Sequence, residues 1–184
     1  MSYALVVVGA SWGGLDALSA VLGAIPQKFG PALAVALHRD KRSDQGLVTY
    51  LQQRTALPVK EPEDKEPIEP GIIYLAPAGY HLLVEQNRFA LSTEAPVAHA
   101  RPSVDVLFES AAESYGPKLV GLVLTGANQD GASGLAAVKR HGGLALVQDP
   151  ETAQKASMPQ AAIAATRVDR VMGLAELGSF LAGL

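Results

Sequence analysis

Residues 6–14 read VVVGASWGG, an apolar run that passes into a glycine-rich turn. Consecutive valines are β-branched and suit a strand that is buried on both faces, as in a parallel sheet. The glycines permit a tight turn, and apolar residues then recur at helical spacing from Leu15 to Leu22. The stretch therefore predicts a βα unit in which Ser11 lies between the carboxyl end of a strand and the amino end of a helix.

Three interpretations of this serine turn are compatible with its spacing. In a degenerate dinucleotide-binding fingerprint, Ser11 would stand where the second glycine of G-x-G-x-x-G lets a pyrophosphate approach. In a hydrolase, residues 9–13 match the G-x-S-x-G turn that presents a serine nucleophile. In an ordinary βα turn, Ser11 would only cap the helix. The spacing alone does not rank the three.

The composition narrows the class of protein. With 184 residues, 48% hydrophobic and 18% charged, the chain is predicted to form one globular domain over residues 1–184. The absence of cysteine excludes disulfides and thiolate catalysis, and a formal net charge of −3 argues against general nucleic-acid binding. We find no secretory signal and no apolar run of membrane-spanning length, so we expect a cytoplasmic protein without membrane insertion.

Strand and helix patterns alternate along most of the chain. The sequence predicts strands at 3–9, 32–37, 118–124, 144–147 and 167–171, and helices at 13–23, 44–54, 102–114, 132–140, 159–165 and 175–184, with Ser43 as a cap of the second helix. Residues 59–70 predict an exposed loop, and residues 72–92 predict further strands with a hairpin. The predicted fold class is α/β, with three layers: an open, mostly parallel, Rossmann-like sheet, helices on both faces, and an antiparallel edge hairpin.

Three residues of complementary chemistry follow predicted strands. Ser11 and His38 end the first two βα strands, and Asp130 lies in the loop after the strand at 118–124. Because parallel strands present their carboxyl ends at one edge of the sheet, the three side chains would emerge together. A serine nucleophile, a histidine base and an orienting carboxylate make up a hydrolytic triad. Backbone N–H groups at the Ser11 turn and near Ala127 would supply an oxyanion hole.

Each of these residues also has an interpretation without chemistry. His38 could simply end its strand, and Asp130 could cap the helix that follows it. The histidines at 81, 99 and 141 are predicted to lie at the surface. The second strand ends in a histidine rather than the acidic residue that would hold a ribose, which argues against a dinucleotide site. No cluster has the spacing of a metal site, so we expect neither a metal nor a cofactor.

Several ordered motifs occur together in this chain. They are Gly9-Ala10-Ser11-x-Gly13-Gly14, His38 after an apolar strand, Tyr74-Leu75-Ala76-Pro77, Arg101-Pro102-Ser103-Val104-Asp105-Val106-Leu107-Phe108, Leu124-Thr125-Gly126 with Asp130-Gly131, and Met158-Pro159. In this combination the chain resembles, nearly from end to end, the catalytic domain of the chemotaxis protein-glutamate methylesterases, which demethylate bacterial chemoreceptors. The resemblance implies a triad of Ser11, His38 and Asp130. It also implies oxyanion donors from the backbone of Trp12 and Ala127, with Gly13 beside them at the substrate.

The chain departs from the pattern of that family at several places. Trp12 replaces the small residue that is common after the nucleophile, and an indole there could narrow the cleft. Residues 125–130 read TGANQD where the family often has TGMGND, and His99 is separated from Arg101 by one residue. Family members usually carry an N-terminal receiver domain, whereas this chain is expected to begin at the catalytic domain.

The resemblance implies a serine hydrolase that demethylates glutamate methyl esters on a methylated chemoreceptor or a receptor-like helical protein, with glutamine deamidation as a second activity. A different class of function is a non-catalytic scaffold of the same fold that docks on receptor helices. Trp12 and the altered loop before Asp130 motivate that alternative. Nucleotide binding is the third hypothesis.

Overall fold

Strands and helices alternate throughout the part of the chain that the computed structural model describes, residues 2–38 and 46–184. The strands are β1 (Leu5–Ala10), β2 (Ala32–Leu37), β3 (Val59–Lys60), β4 (Ile73–Leu75), β5 (His81–Glu85), β6 (Arg88–Ser92), β7 (Leu119–Val123), β8 (Leu144–Gln148) and β9 (Arg170–Met172). The α-helices are α1 (Gly14–Gly23), α2 (Leu47–Gln52), α3 (Val104–Tyr115), α4 (Ala132–Arg140), α5 (Ser157–Ala165) and α6 (Leu174–Ala182). The predicted strands and helices are present close to their expected bounds. The predicted cap Ser43 lies outside the described residues.

β1 is the central strand of a seven-stranded sheet with the order β3-β4-β2-β1-β7-β8-β9. All neighbouring strands in this sheet are parallel, which confirms the predicted architecture. Strands β2, β3 and β4 lie on one side of β1, and the later strands β7, β8 and β9 lie on the other side. The direction in which successive strands are added to the sheet therefore reverses between β1 and β7. Ligands of open parallel sheets bind at the carboxyl ends of strands beside such a reversal, and this is where Ser11 and Asp130 lie.

Three layers arise because the side chains of β1 alternate between two apolar cores. Leu5 and Val7 belong to the core that includes α3, α4 and α5. Val6 and Val8 belong to the opposite core, which includes α1 and α6. All four side chains are fully buried. Burial on both faces explains why β1 appears in the sequence as a continuous apolar run and not as an alternating one.

The middle third of the chain differs in two details from the prediction. β5 and β6 form the antiparallel hairpin, but they pair as a separate two-stranded sheet and pack against α3. The Val84 N–H donates to the Ser110 hydroxyl, and the Ser114 hydroxyl donates to the Val84 carbonyl, which ties the hairpin to α3. Residues 59–70, predicted as a loop, begin with the edge strand β3. A strand of two residues is too short to produce a periodic signal.

α3 begins directly against β1 because Gly9 has no side chain. A Cβ atom on Gly9 would lie 2.2 Å from Cγ1 and 2.9 Å from Cγ2 of Val104, the first residue of α3. Val104 is itself fully buried and has no room to withdraw. The glycine therefore brings the amino end of α3 to the edge of the sheet that carries Ser11.

The amino ends of α3 and α4 are joined by two aspartates, each of which caps the other helix. Asp105, in the first turn of α3, accepts hydrogen bonds from the N–H groups of Gly131 (2.9 Å) and Gly134 (2.7 Å) at the start of α4. Asp130, just before α4, accepts from the N–H groups of Val104 (2.7 Å) and Asp105 (2.9 Å) at the start of α3. The carboxylates thus satisfy N–H groups that a helix leaves free and lie at the positive ends of the helix dipoles.

Replacing Gly9 by alanine should destabilise the fold by about 1–3 kcal/mol, because the added methyl group forces Val104 or β1 to move in a packed core. Urea unfolding at equilibrium measures the effect. Gly30→Ala is the matched control, since a Cβ atom there meets nothing within 4 Å. Equal stability of the two variants would contradict this account of the α3–β1 contact.

Asp105 should make the stability depend on pH. Burial, reinforced by the charge of Asp130, raises the pKa of Asp105 from 3.8 to about 6 against the hydrogen bonds from Gly134 and Gly131. Between these two values the folded chain binds a proton that the unfolded chain does not, so the folded state gains stability as the pH falls from 7 to 5. The Asp105→Asn variant lacks this titration. We expect the wild type to gain urea resistance relative to the variant over this interval.

Asp105→Ala is the control for the helix cap. It removes both acceptor contacts to α4 and should cost about 0.5–2 kcal/mol at pH 7, and like Asp105→Asn it lacks the titration of the wild type. An identical pH dependence of unfolding in the wild type and in Asp105→Asn would show that Asp105 does not titrate between pH 5 and 7.

Candidate active site

Ser11 lies in the short turn between β1 and α1. Its N–H donates to the Thr125 carbonyl at 3.0 Å, and its carbonyl accepts from the Gly14 N–H at 2.8 Å. The helix cap is Gly13, with a φ of 74° and no side-chain hydrogen bond. The interpretation of Ser11 as a helix cap is therefore wrong. Its backbone is held on both sides, while its hydroxyl makes no hydrogen bond to the residues that the structure describes.

The loop after β7 lies against the serine turn. A Cβ atom on Gly126 would be 2.9 Å from the Ser11 Cβ atom and 1.9 Å from the Met158 sulfur, so only glycine fits. The hydroxyl of Thr125, 1% exposed, lies 2.9 Å from the Trp12 carbonyl. These contacts set the position of the 125–130 loop relative to the serine.

His38, which directly follows β2, reaches the loop after β7. Its Nε2 atom lies 2.6 Å from Oδ2 of Asp130. The side chain of Asp130 has no exposed surface, and that of His38 is 12% exposed. The contact is possible because β2 and β7 flank β1, so their carboxyl ends meet over the end of the central strand.

The Asp130 carboxylate has two hydrogen-bond donors on each oxygen. Oδ2 accepts from His38 and from the Val104 N–H. Oδ1 accepts from the Ser103 hydroxyl and from the Asp105 N–H, both at 2.9 Å. Burial acts to raise the pKa of Asp130, but the hydrogen bonds from His38 and the backbone outweigh it and hold that pKa below its usual range. Asp130 is therefore ionised at neutral pH and can orient His38.

The predicted cap of α4 by Asp130 is wrong. The cap residue of α4 is Gly131, which makes no side-chain hydrogen bond, and the Asp130 carboxylate turns towards α3 instead. A carboxylate before a helix is usually a local cap, but here a second helix terminus from a distant part of the chain lies closer.

Ser11 and His38 line the same cavity of about 330 Å³ at the carboxyl edge of the sheet. The other described lining residues are Gly13, Gly14, Leu15, Asp16, Leu37 and Leu47. Within the described residues no hydrogen bond joins the Ser11 hydroxyl to His38. Catalytic hydrogen bonds are often longer in the absence of substrate. Trp12, which follows Ser11, is 64% exposed and is not among the described lining residues of this cavity.

Two backbone N–H groups beside the serine have no acceptor in the described part of the chain. They belong to Trp12, immediately after Ser11, and to Ala127, in the loop that Gly126 brings against the serine. Unpaired N–H groups of this kind are suited to binding a developing negative charge. They are the same two groups that the family resemblance implies as oxyanion donors.

His81 was predicted at the surface, and this prediction is wrong. The residue is 2% exposed, its Nδ1 atom accepts from the Ser103 N–H at 3.2 Å, and its Nε2 atom contacts the Ala95 carbonyl at 3.0 Å. His81 thereby supports Ser103, whose hydroxyl bonds Asp130. His99 and His141 are exposed as expected.

The sequence interpretation also missed Asn128. Its amide group lies 3.1 Å from Nδ1 of His38, and its Oδ1 atom accepts from the Asp130 N–H at 3.1 Å. Asn128 lies two residues before Asp130, inside the loop where the chain departs from the family pattern. That departure was the only signal available in the sequence.

The residues that the structure describes contain neither a candidate metal site nor a helix that could span a membrane. Residues 2–38 and 46–184 contain no group of three or more histidine, cysteine or acidic side chains placed to hold a metal ion. None of the helices in these ranges has both the length and the hydropathy needed to cross a bilayer.

The comparisons with known proteins agree with this geometry. The family model for the CheB methylesterases matches residues 6–181. A protein of Leptospira interrogans named putative protein-glutamate methylesterase/protein-glutamine glutaminase is 46% identical over 178 residues, 96% of this chain and 92% of that protein. The protein-glutamate methylesterase FrzG of Myxococcus xanthus is 37% identical over 97% of this chain and 54% of its own length.

The fold gives the same result. The crystal structure of the Thermotoga maritima CheB methylesterase catalytic domain superposes with a TM-score of 0.93 at 31% identity, covering 100% of this chain and 99% of that one. With a family model that spans nearly all of its residues, relatives well above 30% identity and a matching solved structure, the chain belongs to the CheB methylesterase family.

Proposed function

We propose that this chain is a protein-glutamate methylesterase that uses Ser11 as its nucleophile, and that its substrate is a methylated chemoreceptor or a receptor-like helical protein. The observation that carries the proposal is the 2.6 Å contact between Nε2 of His38 and the Asp130 carboxylate, at the edge of a cavity that Ser11 also lines. Membership of the CheB methylesterase family supports the substrate class.

The reaction would proceed by acyl transfer in two steps. His38 takes the proton of the Ser11 hydroxyl as the serine oxygen attacks the carbonyl carbon of the glutamate methyl ester. The resulting tetrahedral intermediate collapses, the C–O bond to the methoxy group breaks, and His38 returns the proton so that methanol leaves. Water then attacks the glutamyl ester of Ser11 by the same path and releases a free glutamate side chain. No redox step or cofactor is involved.

The oxyanion of each tetrahedral intermediate would lie between the N–H groups of Trp12 and Ala127. Neither group has a competing acceptor in the described residues, so each is free to donate when charge develops on the substrate oxygen. Gly13, at the amino end of α1, adds the positive end of the helix dipole on the same side.

Deamidation of glutamine side chains would follow from the same chemistry, with ammonia as the leaving group in place of methanol. The relatives of Leptospira interrogans and Anaeromyxobacter dehalogenans carry both activities in their names. We further propose that residues 1–184 act as one catalytic domain in the cytoplasm, where the signalling face of a receptor is accessible. The acidic net charge of −3 fits a protein partner better than a nucleic acid.

Replacing Ser11 by alanine should lower the rate of methanol release by about 10³-fold or more, because the nucleophile is lost while the backbone hydrogen bonds of the turn remain. Release of labelled methanol from receptor membranes methylated on glutamate measures this. Ser19→Ala is the matched control, because the Ser19 hydroxyl donates to the Leu15 carbonyl within α1. Methanol release by Ser11→Ala at the wild-type rate would contradict the proposal.

A fluorophosphonate that reacts with activated serines separates a hydrolase from a non-catalytic scaffold of the same fold. We expect covalent labelling of the wild type, no labelling of Ser11→Ala, and slow labelling of His38→Gln, in which the base is lost. A wild type that is folded but does not react with the probe would favour the scaffold.

A further inference from the structure

Asn128 contacts both the predicted base, His38, and the carboxylate residue that orients it, Asp130. Its Oδ1 atom lies 3.1 Å from the backbone nitrogen of Asp130, and its Nδ2 atom lies 3.1 Å from Nδ1 of His38. The other ring nitrogen of His38 contacts the Asp130 carboxylate at 2.6 Å. Asn128, His38 and Asp130 therefore form a closed ring of three hydrogen bonds.

The direction of each hydrogen bond in this ring follows from one fixed donor. A backbone N–H can only donate, so the Asn128 atom that faces the Asp130 N–H is the amide oxygen, and the amide nitrogen must face His38. An amide nitrogen can only donate, so Nδ1 of His38 carries no proton. Nε2 then holds the ring proton and donates it to the ionised Asp130 carboxylate.

This arrangement determines which atom of His38 is available to Ser11. Nε2 is occupied by Asp130, so a serine hydroxyl has to use the Nδ1 lone pair. That lone pair lies in the plane of the ring and accepts one strong hydrogen bond. In the structure, the Nδ1 lone pair accepts from the Asn128 amide. The Ser11 hydroxyl lines the same cavity as His38 but makes no hydrogen bond to it within the described residues.

We propose that Asn128 is a positioning residue that locks His38 in the Nε2–H tautomer and holds its Nδ1 lone pair until the Ser11 hydroxyl replaces the amide when substrate binds. The role of Ser11 in this exchange rests on the proposed function, whereas the tautomer does not. Once His38 has taken the serine proton, its new Nδ1–H cannot bond the Asn128 N–H again, because both groups are donors. The amide therefore does not compete for this proton, which passes to the leaving methanol oxygen.

Two substitutions at position 128 distinguish this role from a structural one. Asn128→Asp is isosteric and keeps the acceptor for the Asp130 N–H, but it presents a carboxylate oxygen to Nδ1 and favours a protonated nitrogen there. Asn128→Ala removes both contacts and leaves the lone pair free. If Asn128 only braced the loop, the aspartate variant would be nearly normal and the alanine variant impaired. The proposal requires the opposite order.

We therefore expect Asn128→Asp to lose about tenfold or more in fluorophosphonate labelling rate at neutral pH, and Asn128→Ala, which frees the Nδ1 lone pair but no longer fixes the tautomer, to lose clearly less than Asn128→Asp. With methylated receptor membranes as the substrate, the loss in Asn128→Asp should fall on kcat, while KM changes little, because Asn128 acts through the base. An aspartate variant as active as the wild type, or less impaired than the alanine variant, would overturn the proposal.

Nitrogen NMR of the histidine side chains in the full chain gives a readout that needs no activity. In the wild type, His38 should show an unprotonated, hydrogen-bonded Nδ1 and a protonated Nε2, with the assignment taken from the spectrum of His38→Gln. In Asn128→Ala the Nδ1 signal should move to that of a free lone pair, and in Asn128→Asp it should become that of a protonated nitrogen. A protonated Nδ1 in the neutral His38 of the wild type would refute the inference. A wild type that shows the expected tautomer but neither labelling nor methanol release would instead refute the proposed function.

Discussion

The hydrogen bonds that converge on the Asp130 carboxylate connect the loop after β7 with two distant parts of the chain. They come from His38 after β2 and from the start of α3, where the Ser103 hydroxyl and the first N–H groups of the helix donate. With two donors on each oxygen and no exposed surface, the carboxylate is fully satisfied without water. Because the same group caps a helix and orients the histidine, the position of α3 and the geometry of the candidate site cannot vary independently.

Burial of two neighbouring carboxylates disfavours their charged forms, and Asp105 and Asp130 respond to it differently. Asp130 has four donors, including the histidine, and its pKa stays below the usual range despite burial. Asp105 has two backbone donors on one oxygen, and burial beside the Asp130 charge raises its pKa to about 6. Asp130, which has to stay ionised to orient His38, thus has more hydrogen-bond donors than Asp105. As the pH falls, Asp105 is protonated before Asp130.

Much of the fold and part of the site could be predicted from the sequence, because both depend on local patterns. Buried parallel strands produce continuous apolar runs, and the residue after each run lies at the carboxyl edge of the sheet, which placed Ser11 and His38 correctly. β3 was missed because two residues have no period. His81 was missed because its burial depends on the hairpin packing against α3, a contact between segments that no local pattern encodes.

The sequence by itself determined the alternation of strands and helices, the parallel sheet and the chemical types of the residues at its edge, since each is set by neighbours along the chain. Only the tertiary structure decided that Asp130 caps α3 and not the helix that follows it, and that the Asn128 amide lies against Nδ1 of His38. Both outcomes depend on which backbone N–H groups from other elements come within hydrogen-bonding distance. The strand order and the close packing at Gly9 and Gly126 control that proximity.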